Sequence, residues 1–169
     1  PLSAENYRMY SWYLSGILGL PPEGLDMSSI EAARKNYHHK TSCNVATFAG
    51  HGPIRLEAAG MNDVPLTGSK LDVAKNLLRE SLEQGAVGLA TGLSYYPNSW
   101  SDTDELCALM EVTKEFDRPL SIHLRNHNKD RAFGDGGVPE AIEIARRTGT
   151  KLHFEHFRTD ASSAGRVDE

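Results

Sequence analysis

The feature that most constrains this chain is a repeated alternation of short apolar runs with helical segments. Apolar runs occupy 43–50, 86–90, 119–124 and 151–157, and the segments between them repeat apolar residues with helical spacing. Each run is short, and the first three contain or adjoin glycine or proline, which favours strands. Strands that alternate with helices form parallel sheets, because each helix returns the chain to the same end of the sheet. The sequence therefore predicts an α/β fold with parallel strands.

Three of the intervening segments also carry helix-end signals. Ser69 is a predicted N-cap for the first. Asp102 precedes the second, with Glu105 three residues later, which is the spacing of a capping box. Pro139 suits the first position of the third helix, and Gly149 suits its end.

Two architectures fit this alternation, namely an open doubly wound sheet and part of a (β/α)8 barrel. No glycine-rich phosphate loop follows the first run, which argues against a nucleotide-binding sheet. Both architectures place ligand chemistry at the carboxyl ends of the strands. The residues that follow each apolar run are therefore the first candidates for function.

The remaining composition bounds the class of protein. The 169 residues carry a net charge of -5 with no basic stripe, so we expect no nucleic-acid partner. Apolar runs fall short of the ~20 residues that span a bilayer, so we expect no membrane partner. Cys43 and Cys107 are too few and too far apart for a disulfide framework, which favours a reducing, cytoplasmic location.

The first part of the chain differs from the rest. Residues 1–42 contain an aromatic, predicted helical stretch that Pro21 and Pro22 interrupt. We therefore divide the chain into a helical or irregular lead-in at 1–42 and a partial barrel at 43–169. The chain starts at Pro1, and we interpret it as a fragment of a longer protein.

Histidines stand at the ends of two consecutive predicted strands. His123 follows the third apolar run and His156 closes the fourth. Neutral imidazole is a common zinc ligand, and a catalytic zinc needs about three protein ligands and one open position. Histidines bonded for structural reasons are the alternative. Strand periodicity places His156 on the face of Phe154, so we expect His153 to point toward the helices.

Other candidate residues follow the strands more loosely. His51, between two glycines, is expected either to bind substrate or to be a loop histidine bonded to backbone. Arg125 suits a substrate carboxylate through its planar fork, or a loop acid. Tyr95 and Tyr96 follow the second run, where a hydroxyl would polarise an amide carbonyl or the rings would simply pack.

Four segments resemble motifs of one enzyme family. They are 44–55 (NVATFAGHGPIR), 85–95 (GAVGLATGLSY), 122–126 (IHLRN) and 155–158 (EHFR), in the order of the N-acyl-D-amino-acid deacylases, or D-aminoacylases, of the amidohydrolase superfamily. The resemblance implies that the four runs are strands three to six of a (β/α)8 barrel. It also implies that His123 and His156 are zinc ligands. The family's other ligands and its general-base aspartate have no counterpart in this chain.

The resemblance implies a function as well. It predicts a zinc-dependent hydrolase that cleaves the amide bond of small N-acyl-D-amino acids and holds one or two zinc ions. The fragment alone is expected to be inactive. The protein could also form an oligomer. His127, Glu155 and Arg158 replace residues usual in the family, which puts the substrate in question.

Two alternatives stay open at this point. One is another amidohydrolase acting on dipeptides or on cyclic amides, similar to a hydantoinase or dihydroorotase. Such relatives use a strand-four lysine, and 86–93 has none. The other is a partial barrel that serves as a non-catalytic binding module.

Overall fold

The structure, a computed structural model, describes residues 2–156 of the chain. It contains one four-stranded parallel sheet whose strands stand in the order in which they occur in the sequence. The strands are β1 (Ala49–Gly50), β2 (Leu89–Gly92), β3 (Leu120–His123) and β4 (Leu152–Phe154).

Helices connect these strands. The helices are α1 (Ala4–Leu18), α2 (Ile30–Lys35), α3 (His51–Ala59), α4 (Gly68–Glu83), α5 (Thr103–Glu115) and α6 (Gly137–Thr148). A doubly wound sheet would reverse its strand order partway, whereas a barrel adds each new strand beside the last. The sequential order β1-β2-β3-β4 is therefore that of a barrel segment, and the predicted α/β fold is confirmed.

An apolar core fills the space between the sheet and the helices that cover it. Its fully buried members include Leu78, Leu89, Leu106, Leu109, Met110, Leu120, Ile122 and Ile144. Burying one such side chain contributes ~1.5–3 kcal/mol. Because strand and helix residues share this core, it fixes where each strand ends, and therefore where the residues after the strands lie.

At the start of α5, the predicted N-cap Asp102 is correct, but the reciprocal bond of the predicted capping box does not form. The Asp102 carboxylate accepts a hydrogen bond from the Glu105 backbone N–H at 2.7 Å. The Glu105 carboxylate does not return a bond to Asp102, because it is bonded to His51, Arg55 and the Leu66 backbone. Only half of the capping box forms.

The other two predicted helix starts are each two residues late. Helix α4 begins at Gly68 with Thr67 as its N-cap, not at Ser69. Helix α6 begins at Gly137, so Pro139 is its third residue; it still lies in the first turn, where no intrahelical N–H donor is needed. Gly149 ends α6 in the left-handed conformation, with φ 69°, as predicted.

The predicted loop after β1 is a helix. Helix α3 starts at His51 directly after the strand, with extended Gly50 as its N-cap. Pro53 in the first turn is compatible with a helix start. Gly52 is required by packing, since a Cβ there would collide with the Tyr10 hydroxyl and the Asn98 side-chain oxygen.

The lead-in packs on the barrel segment through polar contacts. Ser3 N–H and the Asn6 amide both donate to the Glu57 carboxylate on α3, at 2.6 and 2.9 Å. The predicted aromatic helix is confirmed as α1. The division at residue 42 stays a prediction, and the part of the second segment from Phe157 onward lies outside the described residues. No helix within 2–156 is long and apolar enough to cross a membrane.

Candidate active site

His123 and His156 meet at the carboxyl edge of the sheet. His123 is the last residue of β3, and His156 follows β4 by two residues. Their rings lie edge to face, with centroids 5.4 Å apart and an interplanar angle of 75°. The two predicted ligands therefore converge, although a full βα connection separates them in the chain.

Both rings line a cavity of about 300 Å³ that opens at this edge. Tyr95 lines it too, with its ring tilted against His123 at a centroid distance of 5.3 Å. Gly92 allows this approach, because a Cβ there would lie 2.7 Å from the Tyr95 ring. The Gly92–Tyr95 spacing in the sequence thus shapes the cavity beside His123.

The side chains of β4 face opposite to the sequence prediction. His153 pairs with Ser121, and Ser121 Oγ donates to the Glu155 carboxylate at 2.6 Å. His153 and Glu155 therefore lie on the inner face with His123, away from the helices. Phe154 packs into the helix-side core instead. His156 still reaches the cavity, because it lies beyond the strand in a positive-φ conformation.

Only one of the two candidate tyrosines faces the cavity. The Tyr96 ring packs on Trp100 and His127, with centroids 4.7 and 5.8 Å away. Its backbone N–H donates to the Tyr13 hydroxyl at 3.1 Å, which attaches the loop to α1. The packing interpretation therefore describes Tyr96, and the catalytic interpretation keeps Tyr95.

His51 borders the cavity with its ring nitrogens already bonded. Nε2 lies 2.9 Å from a Glu105 carboxylate oxygen and Nδ1 lies 2.8 Å from the Thr91 hydroxyl. A carboxylate only accepts, so Nε2 carries the proton and Nδ1 accepts from Thr91. The ring is fully buried. His51 is therefore not free to bind substrate as predicted, and its partners are side chains, not backbone.

The Glu105 carboxylate that binds His51 also binds a buried arginine. Arg55, one helical turn beyond His51, pairs with the same Glu105 carboxylate. Burial lowers the pKa of His51. Burial acts to raise the pKa of Glu105, but the hydrogen bond from His51 and the charge of Arg55 hold it below its usual value. Sequence reasoning missed Arg55, although its i,i+4 spacing from His51 on one helix was a signal.

Arg125 is buried behind the cavity and does not line it. Its Nε and Nη2 atoms donate to the Glu140 carboxylate at 2.8 and 3.1 Å. Its remaining bonds go to the Ser99 and Ser101 carbonyls at 2.8 and 2.9 Å. The structure thus uses the fork for a protein acid instead of the predicted substrate. Arg125 joins the end of β3 to α6 and to the loop that follows Tyr95.

His123 and His156 are candidate donors for a metal ion. Two imidazoles converge on one cavity, which suits zinc. No group of three or more His, Cys, Asp or Glu side chains in residues 2–156 is arranged to hold a metal ion. A catalytic zinc needs about three ligands, so His123 and His156 would have to be completed from elsewhere.

Comparison with known proteins supports the resemblance. The chain is 29% identical over 142 residues to N-acyl-D-glutamate deacylase of Alcaligenes xylosoxydans xylosoxydans, which covers 84% of this chain and 28% of that protein. Its fold is similar to that of N-acyl-D-glutamate deacylase of Bordetella bronchiseptica, whose crystal structure contains zinc and a phosphonate inhibitor. The two sequences are 30% identical. That match has a TM-score of 0.67 and covers 78% of this chain and 27% of the other.

A more distant structure gives the fold. A D-aminoacylase, 19% identical, superimposes with a TM-score of 0.70 over 86% of this chain and 32% of its own. No family model matches the chain. The chain spans 27–32% of the length of these relatives. Its homologues are therefore N-acyl-D-amino-acid deacylases, and the chain corresponds to part of their length.

Proposed function

We propose that the protein carrying this segment is a zinc-dependent hydrolase that cleaves the amide bond of N-acyl-D-amino acids. The observation that carries the proposal is the convergence of His123 and His156, at 5.4 Å between ring centroids, on one cavity at the carboxyl edge of the sheet. Barrel enzymes place their chemistry at this edge. The homologues named above supply the reaction class.

His123 and His156 would hold the metal through neutral imidazole nitrogens. When bound, zinc acts as a Lewis acid that activates water near neutral pH and polarises a carbonyl. The two rings come from neighbouring strands that share one register, so the core under β3 and β4 sets their separation. The other ligands and the general base would come from the rest of the protein.

Tyr95 would orient the substrate. Its ring lies against His123 on the cavity wall, so Tyr95 is the candidate tyrosine that stands beside the proposed metal ligands. A phenol O–H donates a hydrogen bond to a carbonyl or carboxylate oxygen. We assign it to hold one such oxygen of the N-acyl amino acid during the reaction.

Arg125 and His51 would position the site without touching substrate. Arg125 holds the loop of Ser99 and Ser101 against the end of β3, two residues after His123. His51 holds the end of β2 through Thr91. Both act through buried hydrogen bonds, which rigidify the edge on which the reaction depends.

Two further points belong to the proposal. β2 contains no lysine, unlike the cyclic-amide hydrolases weighed above, so linear N-acyl amino acids are the better substrate class. Cys43 and Cys107 are both free thiols, which supports the cytoplasmic location.

The test is an assay of the full-length protein that contains this segment. Amino acid released from N-acetyl-D- and N-acetyl-L-amino acids is measured, with zinc content determined on the same sample. We expect bound zinc and hydrolysis of the D-forms alone. Protein with zinc but no hydrolysis of either form would refute the deacylase assignment, and protein purified with zinc present yet binding none would refute the metal site.

A further inference from the structure

One face of helix α1 borders the same cavity as the proposed zinc ligands. Tyr10, Leu14, Ile17 and Leu18 all line it, together with His123 and His156. Their spacing of four, three and one residues puts the four side chains on one face of the helix. We call these four residues the α1 wall.

Contacts with the barrel segment hold the α1 wall in place. The Tyr13 hydroxyl, on the same helix, accepts the Tyr96 N–H at 3.1 Å, and the Tyr10 hydroxyl lies against Gly52. At the other end, Glu57 of α3 binds Ser3 and Asn6. The helix is therefore fixed to α3 and to the loop that follows β2.

These contacts do not bury the apolar side chains. No residue of α1 is buried, and Ile17 and Leu18 are 65% and 74% exposed. Apolar side chains grouped at the opening of a cavity are typical of a binding surface. Trp12 is 77% exposed on the same helix but lies with Glu5 and Arg8 at a different cavity. Exposure alone therefore does not define the α1 wall; its position beside the histidines does.

The charges around the cavity also favour an apolar group of the substrate. Within residues 2–156, no lysine or arginine lines it, and its acidic member is Glu155. A second carboxylate on the substrate would call for a cation at that point. The α1 wall offers hydrocarbon instead.

We propose that the α1 wall binds an apolar substituent of the substrate, so that the enzyme prefers hydrocarbon-rich N-acyl amino acids to those with short or acidic groups. The inference rests on the proposed function. Either the N-acyl chain or the amino-acid side chain could supply the hydrocarbon, and the experiment separates the two.

The kinetic test uses the zinc-loaded full-length protein, the double variant Ile17→Ser/Leu18→Ser, and Trp12→Ser as the matched control. One substrate pair varies the acyl chain, N-octanoyl- against N-acetyl-D-alanine. The other varies the side chain, N-acetyl-D-leucine against N-acetyl-D-alanine. For each pair we take the ratio of kcat/KM for the more apolar substrate to kcat/KM for N-acetyl-D-alanine. For the pair whose varied group contacts the α1 wall, we expect this ratio to fall at least about 10-fold in the double variant. Trp12→Ser should leave that ratio unchanged. Equal ratios in all three proteins would overturn the inference.

A binding measurement keeps this test separate from the proposed function. Isothermal titration with the hydrolysis products, octanoate against acetate and D-leucine against D-alanine, needs no turnover. We expect one longer product to bind more tightly to the wild type and to lose that advantage in the double variant only. If the wild type hydrolyses nothing yet shows this pattern, the function fails and the α1 wall stands. The inference fails if neither octanoate nor D-leucine binds more tightly than its shorter counterpart. It also fails if that advantage survives the double substitution. Either result would mean that the α1 wall is covered by other parts of the protein.

Discussion

His123 and His156 lie edge to face at 75°, their ring centroids 5.4 Å apart, at the ends of neighbouring parallel strands. The register that pairs Ile122 with Phe154 brings them together, because both paired residues pack into the core on the helix side. A metal that binds one ring is therefore within reach of the other.

Replacing either ring should remove zinc. We expect His123→Ala and His156→Ala each to lower zinc content and to reduce kcat/KM more than 100-fold, since even residues behind the ligands cost ~10–100-fold. Zinc analysis and the deacylase assay on the full-length protein measure both effects. His38→Ala, an exposed histidine outside the site, is the control. Full zinc occupancy in His123→Ala would contradict its role as a ligand.

The two tyrosines should differ in their effects on turnover. Tyr95 lines the cavity, whereas Tyr96 packs on Trp100 and His127. Tyr95→Phe keeps the ring but removes the hydroxyl, and a lost bond to a charged group is worth ~1.5–3 kcal/mol. We expect kcat/KM to fall about 10- to 100-fold with zinc retained. Tyr96→Phe should keep a kcat/KM close to that of the wild type. Equal losses of kcat/KM in the two variants would contradict a role for the Tyr95 hydroxyl in turnover.

Arg125 should affect stability more than a surface arginine does. Arg125→Ala leaves the Glu140 carboxylate buried without its cation, which costs ~3–5 kcal/mol. Arg146 pairs with Glu143 at the surface with 69% of its side chain exposed, so Arg146→Ala should cost less than ~1 kcal/mol. Thermal denaturation of both variants measures the difference. Similar Tm values would mean that the buried pair is not essential to the fold.

Burial of His51 should make stability depend on pH. Its pKa is lowered in the folded protein, so below the ordinary value of ~6.5 the unfolded chain binds more protons than the folded one. The free energy of unfolding should therefore fall as the pH drops below about 6.5, by at most about 1.4 kcal/mol per pH unit. Denaturation at pH 7.5 and 5.5 measures it.

The comparison needs a variant without this proton. His51→Gln should be less stable than the wild type at pH 7.5 but should lose less stability on acidification. EDTA is included throughout, because any zinc bound by His123 and His156 would add a pH dependence of its own. Parallel losses in the two proteins would assign the pH dependence to other groups.

Much of the fold follows from local signals in the sequence. The alternation of apolar runs and helices determined the parallel sheet, and Asp102 and Gly149 marked helix ends correctly. The position of a histidine after a strand is also readable, since parallel strands share one carboxyl edge. His123 and His156 could therefore be predicted as a converging pair.

The tertiary structure decided what local patterns leave open. Strand periodicity separates two faces of β4 but does not say which one is inward, and the packing of Phe154 in the core decided that. The partners of His51 and Arg125, Glu105 and Glu140, lie on helices that only the folded chain brings within reach. The sequence determined which residues stand at the strand ends. Long-range packing and buried hydrogen bonds decided which of those side chains face the cavity and which are used to hold it together.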